Sequence, residues 1–346
     1  MDPLKKANEF LNDYLATDGR LTPLPQSGSA RINYVAEGKD KKFILTQNEN
    51  ILENESFLYF STIFSELQLN TPKILSVSKD KTMYLQEFLG EQTLFEYFPK
   101  VSSNEELQTL LQSVLEKLYD LQMKTQGQID YSKTFEYEKY NDLPILHDLN
   151  YFKFLLVDIL EIPYHKTRLL TEFKKLTHLI EQLGPKGLMI RDFQSRNIIL
   201  GPKKEIYFID YQSAMYGPLL YDVVSFLYQA KAPFSAKLRK EMLTYYLNLF
   251  EDSTQRKELK QGILPLRLIR SLQVLGAYGL RGLVQRKPHF LSSLENGIKN
   301  TSALSRQWKE MAHFPELHSV IQALESPETK EKLGAFLDSP STNTLK

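Results

Sequence analysis

A short polar segment between two apolar runs contains the residues of this 346-residue chain best suited to chemistry. Residues 188–200 read LMIRDFQSRNIIL, so that Asp192 and Asn197, with four residues between them, lie between segments that look buried. A buried charge is costly unless it is paired. The segment is therefore either a solvated hairpin tip or a reactive loop held by a rigid frame.

The continuation of the chain favours the reactive loop. After Gly201 the sequence returns as EIYFIDYQ, in which Asp210 directly follows three apolar residues. Because residues flanking a hairpin turn lie close together, we expect Asn197 and Asp210 to be neighbours at one end of the pair. An amide and a carboxylate oxygen suit Mg²⁺, which takes few protein ligands and completes its shell with phosphate oxygens. Asp192 would lie nearby as an acceptor for a hydroxyl proton.

These motifs resemble a known family. The pattern D-x-x-x-x-N, followed by a hairpin and I-D-Y, resembles the catalytic and metal loops of the protein-kinase-like fold. The next segment, GPLLYDVVSFLY with Asp222, is similar to the aminoglycoside phosphotransferase and choline kinase-like family. Together with the late LQVLGAYGLRGL, these segments most resemble bacterial kinases of cell-wall amino sugars (N-acetylmuramate and N-acetylglucosamine), which act at the anomeric hydroxyl.

The resemblance implies a role for each matching position. Asp192 would be the catalytic base, and Asn197 and Asp210 would hold Mg²⁺. Asp222 would brace the catalytic loop, and Arg196 would supply charge to the transferred phosphate in place of the lysine that protein kinases have at Gln194. The residues implied to bind ATP or GTP fall into three groups. Ser27, Gly28, Ser29 and Arg31 would cover the phosphates, the backbone of Gln86, Glu87 and Phe88 would meet the adenine, and Glu53 or Glu55 would contribute from a helix.

Three positions depart from the family pattern. Ile190 stands where a His is common, and Gln194 stands where protein kinases have a Lys. Thr46, in the strand KKFILTQ, stands where a Lys is expected to bind the α and β phosphates. The sequence leaves open whether Arg31, Lys41 or Lys42 replaces this lysine. If none does, the loss of a cation at the phosphates costs several kcal/mol of transition-state stabilisation, roughly the value of one oxyanion-hole donor.

The elements that must position these residues follow from periodicity. Residues 1–90 read as a helix, hairpins around 21–47, a helix with Phe57, Phe60 and Phe64 on one face, and two strands joined by a Lys-Asp-Lys turn. Helical patterns dominate from a start signal at Ser103 and Glu106 to about residue 335, apart from a hairpin in 187–212. We therefore predict an α+β, two-lobed protein-kinase-like fold, with a small antiparallel β-sheet N-lobe and a larger, mainly helical C-lobe. The predicted division is 1–90 for the nucleotide-binding lobe, 91–335 for the catalytic and acceptor-binding lobe and 336–346 for a flexible tail.

Composition limits the partners. The net charge of +1 gives no overall field that would attract nucleic acid or an anionic membrane. The absence of cysteine excludes disulfides, thiolate metal sites and a cysteine nucleophile. With neither a secretion signal nor a membrane-spanning pattern in view, we expect a cytoplasmic protein that acts on a small-molecule acceptor as a monomer or dimer.

Several features have a plain structural reading beside the functional one. Asp222 also suits a helix N-terminus, residues 27–29 also suit an ordinary loop, and Glu53 and Glu55 also suit a solvated helix face. The six histidines lack metal-ligand spacing, and the basic segment 281–289 is either a rim for an anionic group or a solvated helix end. Asp148, Asn150 and Tyr151 either line a sugar pocket or belong to an aromatic core.

The function expected from the sequence is a Mg²⁺-dependent small-molecule kinase that phosphorylates a sugar or amino sugar at the anomeric position. Two alternatives remain open. In the first, the protein is a kinase whose acceptor is an aminoglycoside or a choline-type amine. In the second, the missing strand lysine marks a pseudokinase scaffold that binds nucleotide without catalysis.

Overall fold

The computed structural model describes residues 2–25, 30–229 and 234–338. These residues fall into two units, each discontinuous in sequence. The first comprises Met1–Glu138, Gly187–Tyr216 and Thr244–Leu249, and the second comprises Lys139–Lys186, Gly217–Leu243 and Phe250–Lys346. The described residues implied as base, metal ligands and nucleotide contacts belong to the first unit, whereas Asp222 belongs to the second.

A five-stranded antiparallel sheet begins the first unit. Its strands are β1 (Arg20–Pro23), β2 (Ile32–Gly38), β3 (Lys41–Gln47), β4 (Ile74–Val77) and β5 (Met83–Glu87), in the order β1-β2-β3-β5-β4. Strand alternation puts Tyr34 opposite Leu45 and Ala36 opposite Phe43, and all four side chains are buried under α1 (Pro3–Leu15). Because a one-residue slip would expose this face, the register of β2 and β3 is fixed.

The helix α2 (Ile51–Glu66) connects this sheet to the segment after Asp210. The side chain of Asn50 caps its N-terminus, and the predicted aromatic face is buried at Phe57, Phe60 and Phe64. The Phe57 ring stacks on Tyr84 of β5 at 5.0 Å and on Tyr211 at 4.8 Å between ring centroids. The Tyr211 hydroxyl also lies 2.8 Å from Ser61 Oγ. These contacts hold the residue that follows Asp210 against the sheet.

A smaller sheet forms the predicted hairpin. Its strands are β6 (Gln92–Thr93), β8 (Ile198–Leu200) and β9 (Ile206–Phe208), in the order β6-β8-β9. Helices α3 (Leu94–Tyr97) and α4 (Asn104–Lys124) follow β6 in the chain. Ser103 caps α4 as predicted, but the Glu106 carboxylate accepts from Ser102 rather than from the capping residue. Of the two hydrogen bonds expected in a capping box, the one from Glu106 N to the Ser103 side chain is therefore present and the reciprocal one is replaced.

The second unit is mainly helical. Its helices are α5 (Asp142–Phe152), α6 (Lys166–Glu181), α7 (Leu220–Leu227), α9 (Ser253–Tyr278), α10 (Pro288–Gln307), α11 (Pro315–Ala323) and α12 (Pro327–Asp338). Two π-helical segments, Lys153–Val157 and Gly279–Val284, approach so closely that a Cβ on Gly279 would lie 2.0 Å from the Leu155 carbonyl oxygen. Only glycine fits there.

Of the five points where the chain passes from one unit to the other, three lie within β7 (Lys186–Met189), β10 (Met215–Pro218) and α8 (Ala236–Asn248). The predicted α+β class is confirmed, while the boundaries 1–90, 91–335 and 336–346 stay a prediction. None of the helices in the described part of the chain is both long and apolar enough to span a membrane.

Candidate active site

The segment between β7 and β8 is a tight loop. Arg191 has φ 73°, in the left-handed region that is unfavourable for a side chain of this size, and Asp192 N donates to the Ile190 carbonyl at 3.0 Å. A 3₁₀ turn over Ser195–Asn197 closes the loop, with Asn197 N donating to Gln194 O at 2.9 Å. The strained turn sets the direction in which the Asp192 side chain leaves the backbone.

The Asp192 carboxylate is held by side chains of its own loop. Gln194 Nε2 donates to one oxygen, and Arg196 Nη2 donates to the other at 2.9 Å. The Asp192 side chain is 36% exposed and that of Arg196 is 58% exposed. The carboxylate is thus oriented by two donors and still reachable from solvent, as a base that must meet a substrate requires.

Asn197 joins this loop to Asp210. Its Nδ2 donates to the Asp192 backbone carbonyl at 2.9 Å and to Asp210 Oδ2 at 3.2 Å. Ile209 N donates to the Asn197 carbonyl at 3.1 Å, so the hairpin itself sets this spacing. The structure therefore places Asp192, Asn197 and Asp210 at one end of the β8–β9 pair.

Asp210 also receives donors from outside the hairpin. Arg31 Nη2 donates to its Oδ1 at 2.5 Å, and Gln212 Nε2 donates to the same oxygen at 3.2 Å. Asp210 has φ 66°, a left-handed conformation that aspartate tolerates better than most residues. Its side chain keeps 28% exposure, so the carboxylate is partly buried but open on one side.

Arg31, just before β2, bridges two carboxylates. Its Nε lies 3.4 Å from Glu53 Oε1, and its Nη1 donates to Gln212 Oε1 at 3.1 Å. Burial alone would lower the pKa of this guanidinium, but the charge and hydrogen bond of Asp210, with help from Glu53, raise it. The side chain of Arg31 is only 13% exposed, so it is a positioned cation beside the candidate metal ligand.

Thr46, at the position where the family pattern has a lysine, is buried in the sheet. Its Oγ1 donates to Asn33 Oδ1 at 2.8 Å across the β2–β3 pair. Tyr84 of β5 lies opposite Thr46 in the sheet, and burial raises the pKa of Tyr84 to about 12. Neutral side chains thus occupy the strand position where the family has a lysine, and the cation that the structure places beside Asp210 is Arg31.

The side-chain oxygens of Asn197 and Asp210 are suitable ligands for Mg²⁺. The Asp192 carbonyl can only accept, so its contact with Asn197 Nδ2 identifies that amide atom as nitrogen and leaves Oδ1 as the oxygen for a cation. Asn197 and Asp210 then offer one amide and one carboxylate oxygen, the hard ligands that Mg²⁺ takes alongside phosphates. The described residues contain no cluster of three or more His, Asp or Glu side chains arranged for a metal. A cation at Asn197 and Asp210 would therefore depend on phosphate oxygens for the rest of its shell.

Other predicted nucleotide residues are less informative. The structure does not bring Glu55 to this cluster, because its carboxylate pairs with Lys81 Nζ at 2.6 Å on an exposed face. Gln86 and Glu87 end β5, and Glu87 N donates to the Lys73 carbonyl at 3.0 Å. Phe88 lies under Lys42 Nζ, 5.5 Å from the ring centroid. The predicted phosphate loop, Ser27, Gly28 and Ser29, lies outside the described residues.

The predicted acceptor residues and Asp222 lie in the second unit. Asp222 is fully buried in the first turn of α7. Asp148, on α5, is 1% exposed and accepts from the Tyr140 hydroxyl at 2.9 Å. Asn150 Nδ2 donates to the Leu146 carbonyl, and burial raises the pKa of Tyr151. In the basic segment 281–289, Arg286 stacks over the Phe336 ring at 4.7 Å, so this side chain has a packing role.

The comparison with known proteins identifies the family. A model of the phosphotransferase enzyme family (APH) matches residues 20–259, more than half of the chain. The chain belongs to the phosphotransferase enzyme family. The prediction of a small-molecule phosphotransferase with a hydroxyl group as acceptor is confirmed at this level. A search among curated proteins found no match.

Solved structures share the fold of this phosphotransferase at low identity. A thermostable mutant of aminoglycoside phosphotransferase APH(4)-Ia, apo form, is 16% identical with TM-score 0.60, covering 87% of this chain and 98% of that one. Choline kinase LicA from Streptococcus pneumoniae is 14% identical with TM-score 0.59, covering 88% and 99%. Plasmodium vivax ethanolamine kinase is 16% identical with TM-score 0.56, covering 85% and 84%. The predicted kinase-like fold class is confirmed by these neighbours.

Two of these proteins have also been solved with nucleotides. A thermostable APH(4)-Ia mutant is known as a ternary complex with ADP and hygromycin B. LicA is known in complex with AMP.

Sequence reasoning missed Gln212, which contacts both Arg31 and Asp210. The signal for it was proximity in the sequence, because Gln212 follows the predicted metal ligand Asp210 by two residues. Ser56 Oγ donates to its backbone carbonyl at 2.8 Å, which fixes the residue against α2. Nothing local in the sequence marks that second contact, since the two positions are 156 apart.

Proposed function

We propose that this phosphotransferase moves the γ-phosphate of ATP or GTP to a hydroxyl of a small acceptor in a Mg²⁺-dependent reaction. The observation that carries the proposal is the position of Asn197, whose amide contacts both the backbone of Asp192 and the carboxylate of Asp210. A base and two metal ligands held together by hydrogen bonds are the parts that phosphoryl transfer needs, since the protein's task is mainly positioning and charge stabilisation.

The residues of the loop suggest how the transfer proceeds. Asp192 accepts a hydrogen bond from the acceptor hydroxyl and takes its proton as the new bond between oxygen and phosphorus forms. The bond between the γ-phosphorus and the leaving oxygen of the nucleoside diphosphate breaks in the same displacement. Bound at Asn197 and Asp210, Mg²⁺ would neutralise charge on the phosphate oxygens. Arg196, 58% exposed beside Asp192, is placed to turn toward the transferred group.

We propose a sugar or amino sugar, phosphorylated at its anomeric hydroxyl, as the acceptor. The support is the motif resemblance, in RDFQSRNIIL, IDYQSAMYGPLLYD and LQVLGAYGLRGL, to kinases of cell-wall amino sugars. The Asp148 carboxylate is buried under Tyr140, so this acidic side chain does not offer its charge to solvent. Among the predicted acceptor residues, Asp148 therefore gives no support to an aminoglycoside or choline-type cation as the acceptor.

A pseudokinase scaffold is the competing non-enzyme function, motivated by Thr46 in place of the strand lysine. The arrangement of Asp192 argues against it, because a scaffold has no use for a base oriented by two donors beside a metal site.

A screen for release of the nucleoside diphosphate, ADP from ATP or GDP from GTP, tests the proposal directly. The acceptors would be N-acetylglucosamine, N-acetylmuramate, an aminoglycoside, choline and ethanolamine, each with MgATP and MgGTP. The 1-O-methyl glycoside of each active sugar is the matched control, because it lacks only the anomeric hydroxyl. We expect release with a free amino sugar and none with its methyl glycoside. Release with the methyl glycoside would contradict the anomeric assignment, and silence with every acceptor despite a nucleotide-induced thermal shift would favour the scaffold.

A further inference from the structure

Both oxygens of Asp210 already accept hydrogen bonds. Oδ1 accepts from Arg31 at 2.5 Å and from Gln212 at 3.2 Å, and Oδ2 accepts from Asn197 at 3.2 Å. The shortest of these contacts is the one that carries a positive charge. A divalent cation held by Asn197 and Asp210 would lie beside the guanidinium on the same carboxylate, and the two positive charges repel each other in a partly buried site, so the cation competes with Arg31 for Asp210.

Arg31 has anchors that would keep it in place without Asp210. Its Nε stays next to Glu53 at 3.4 Å, and its Nη1 donates to Gln212 at 3.1 Å. Glu53 is in turn fixed by Asn48 Nδ2, which donates to its Oε2 at 2.9 Å. Releasing Asp210 therefore leaves the guanidinium paired and aimed at the same region. The N–H that Nη2 donated to Asp210 can then be donated to another acceptor, and a guanidinium suits phosphate oxygens particularly well.

Resting on the proposed function, we propose that Arg31 and the divalent cation exchange at Asp210: Arg31 holds the carboxylate until the cation and nucleotide arrive together, and then donates to a nucleotide phosphate. Arg31 thereby supplies the phosphate cation that Thr46 does not. The exchange couples the two ligands. Metal alone must displace Arg31 without providing it a new partner, whereas metal with nucleotide provides phosphate oxygens in return. Metal binding should consequently be weak alone and strong with nucleotide.

The test compares Mn²⁺ binding with and without ADP by isothermal titration calorimetry in the wild type and three variants. Arg31→Gln removes the competing charge. Lys81→Gln is the matched control, because Lys81 is also a cation paired with a carboxylate of α2, Glu55, whereas the hydrogen bonds described for Asp210 come from Arg31, Asn197 and Gln212. Arg31→Lys keeps the charge but loses the planar fork.

The exchange predicts opposite signs for the two measurements. Arg31→Gln should bind Mn²⁺ alone at least threefold more tightly than the wild type and bind Mn²⁺–ADP at least tenfold more weakly, while Lys81→Gln changes neither by more than twofold. A structural role for Arg31 would weaken both affinities or neither, and either result overturns the exchange. The same changes in Lys81→Gln would show a general charge effect and overturn it as well.

Further outcomes cover a variant that does not fold and a wild type that does not bind. If Arg31→Gln does not fold by circular dichroism, Arg31→Lys decides. At least threefold weaker Mn²⁺–ADP binding supports the exchange, because lysine lacks the planar fork with which Nε stays next to Glu53 while Nη2 donates to a phosphate, and unchanged affinity overturns it. A wild type that binds no Mn²⁺–ADP refutes the proposed function itself. A wild type that binds it while Arg31→Gln binds it equally well refutes only the exchange.

Discussion

Replacing Asp192 by Asn separates the proposed chemistry from folding. The amide has nearly the shape of the carboxylate but cannot take a proton. The substitution weakens the charge-assisted hydrogen bonds that Gln194 and Arg196 donate to the carboxylate within the same loop. The ion pair joins side chains that are 36% and 58% exposed and four positions apart, so it contributes at most about 0.5 kcal/mol. We therefore expect the free energy of unfolding to change by less than about 1 kcal/mol.

The effect on turnover should be far larger. A general base contributes roughly 10²- to 10⁴-fold to the rate. At about 1.4 kcal/mol for each factor of ten, this is about 3–5 kcal/mol of activation free energy. Asp192→Asn should accordingly lower kcat at least a hundredfold, while nucleotide affinity stays within about threefold because Asn197 and Asp210 are unchanged.

The assay pairs ADP release at saturating acceptor with calorimetric titration of Mg²⁺–ADP and urea unfolding. Asp13→Asn, on the exposed face of α1, makes the same change in charge away from the loop and should leave all three quantities unchanged. If kcat of Asp192→Asn falls by less than threefold, the base assignment is wrong. If turnover and nucleotide affinity fall together with stability, the loop is structural and the reasoning from exposure fails.

The remaining predictions concern the metal and the fold. Asn197→Ala should raise the Mg²⁺ concentration for half-maximal activity about tenfold or more, and an unchanged Mg²⁺ titration would contradict its role as a ligand. Gly279→Ala should lower the free energy of unfolding in urea by about 1–3 kcal/mol or prevent folding, because its Cβ would lie 2.0 Å from Leu155 O. Gly334→Ala should raise the free energy of unfolding by up to about 1 kcal/mol, because its Cβ meets nothing within 4 Å in α12. A loss of stability would show that the space around these glycines does not decide the effect of the substitution. Glu172→Gln should cost about 1–3 kcal/mol in urea unfolding, since the buried carboxylate accepts from two backbone N–H groups at the start of α11; an unchanged midpoint would show those bonds to be dispensable.

The hairpin could be predicted from sequence because its constraints are local. Asn197 and Asp210 are thirteen positions apart, and the pairing of Ile198 with Phe208 fixes them at one end of two short strands. The same holds for α2, whose aromatic spacing predicted its buried face. Periods and turns of this kind are set by neighbours in the sequence, and they are therefore visible in a single chain.

The role of Arg31 could not be predicted in the same way. Its contact with Asp210 joins positions 179 apart, and it depends on the register of β2 and on the packing of α2. The sequence showed only that Thr46 is not a lysine and that several nearby cations were candidates. The close approach of Gly279 to Leu155 was equally invisible, because it arises where two π-helical segments meet rather than from either segment alone.

The most direct test of the account is the position of a divalent cation in crystals grown with Mn²⁺ and ADP. The account predicts an anomalous manganese peak within bonding distance of Asn197 Oδ1 and a carboxylate oxygen of Asp210, shared with phosphate oxygens of the nucleotide. A fully occupied nucleotide whose metal lies elsewhere, with neither side chain coordinated, would contradict it.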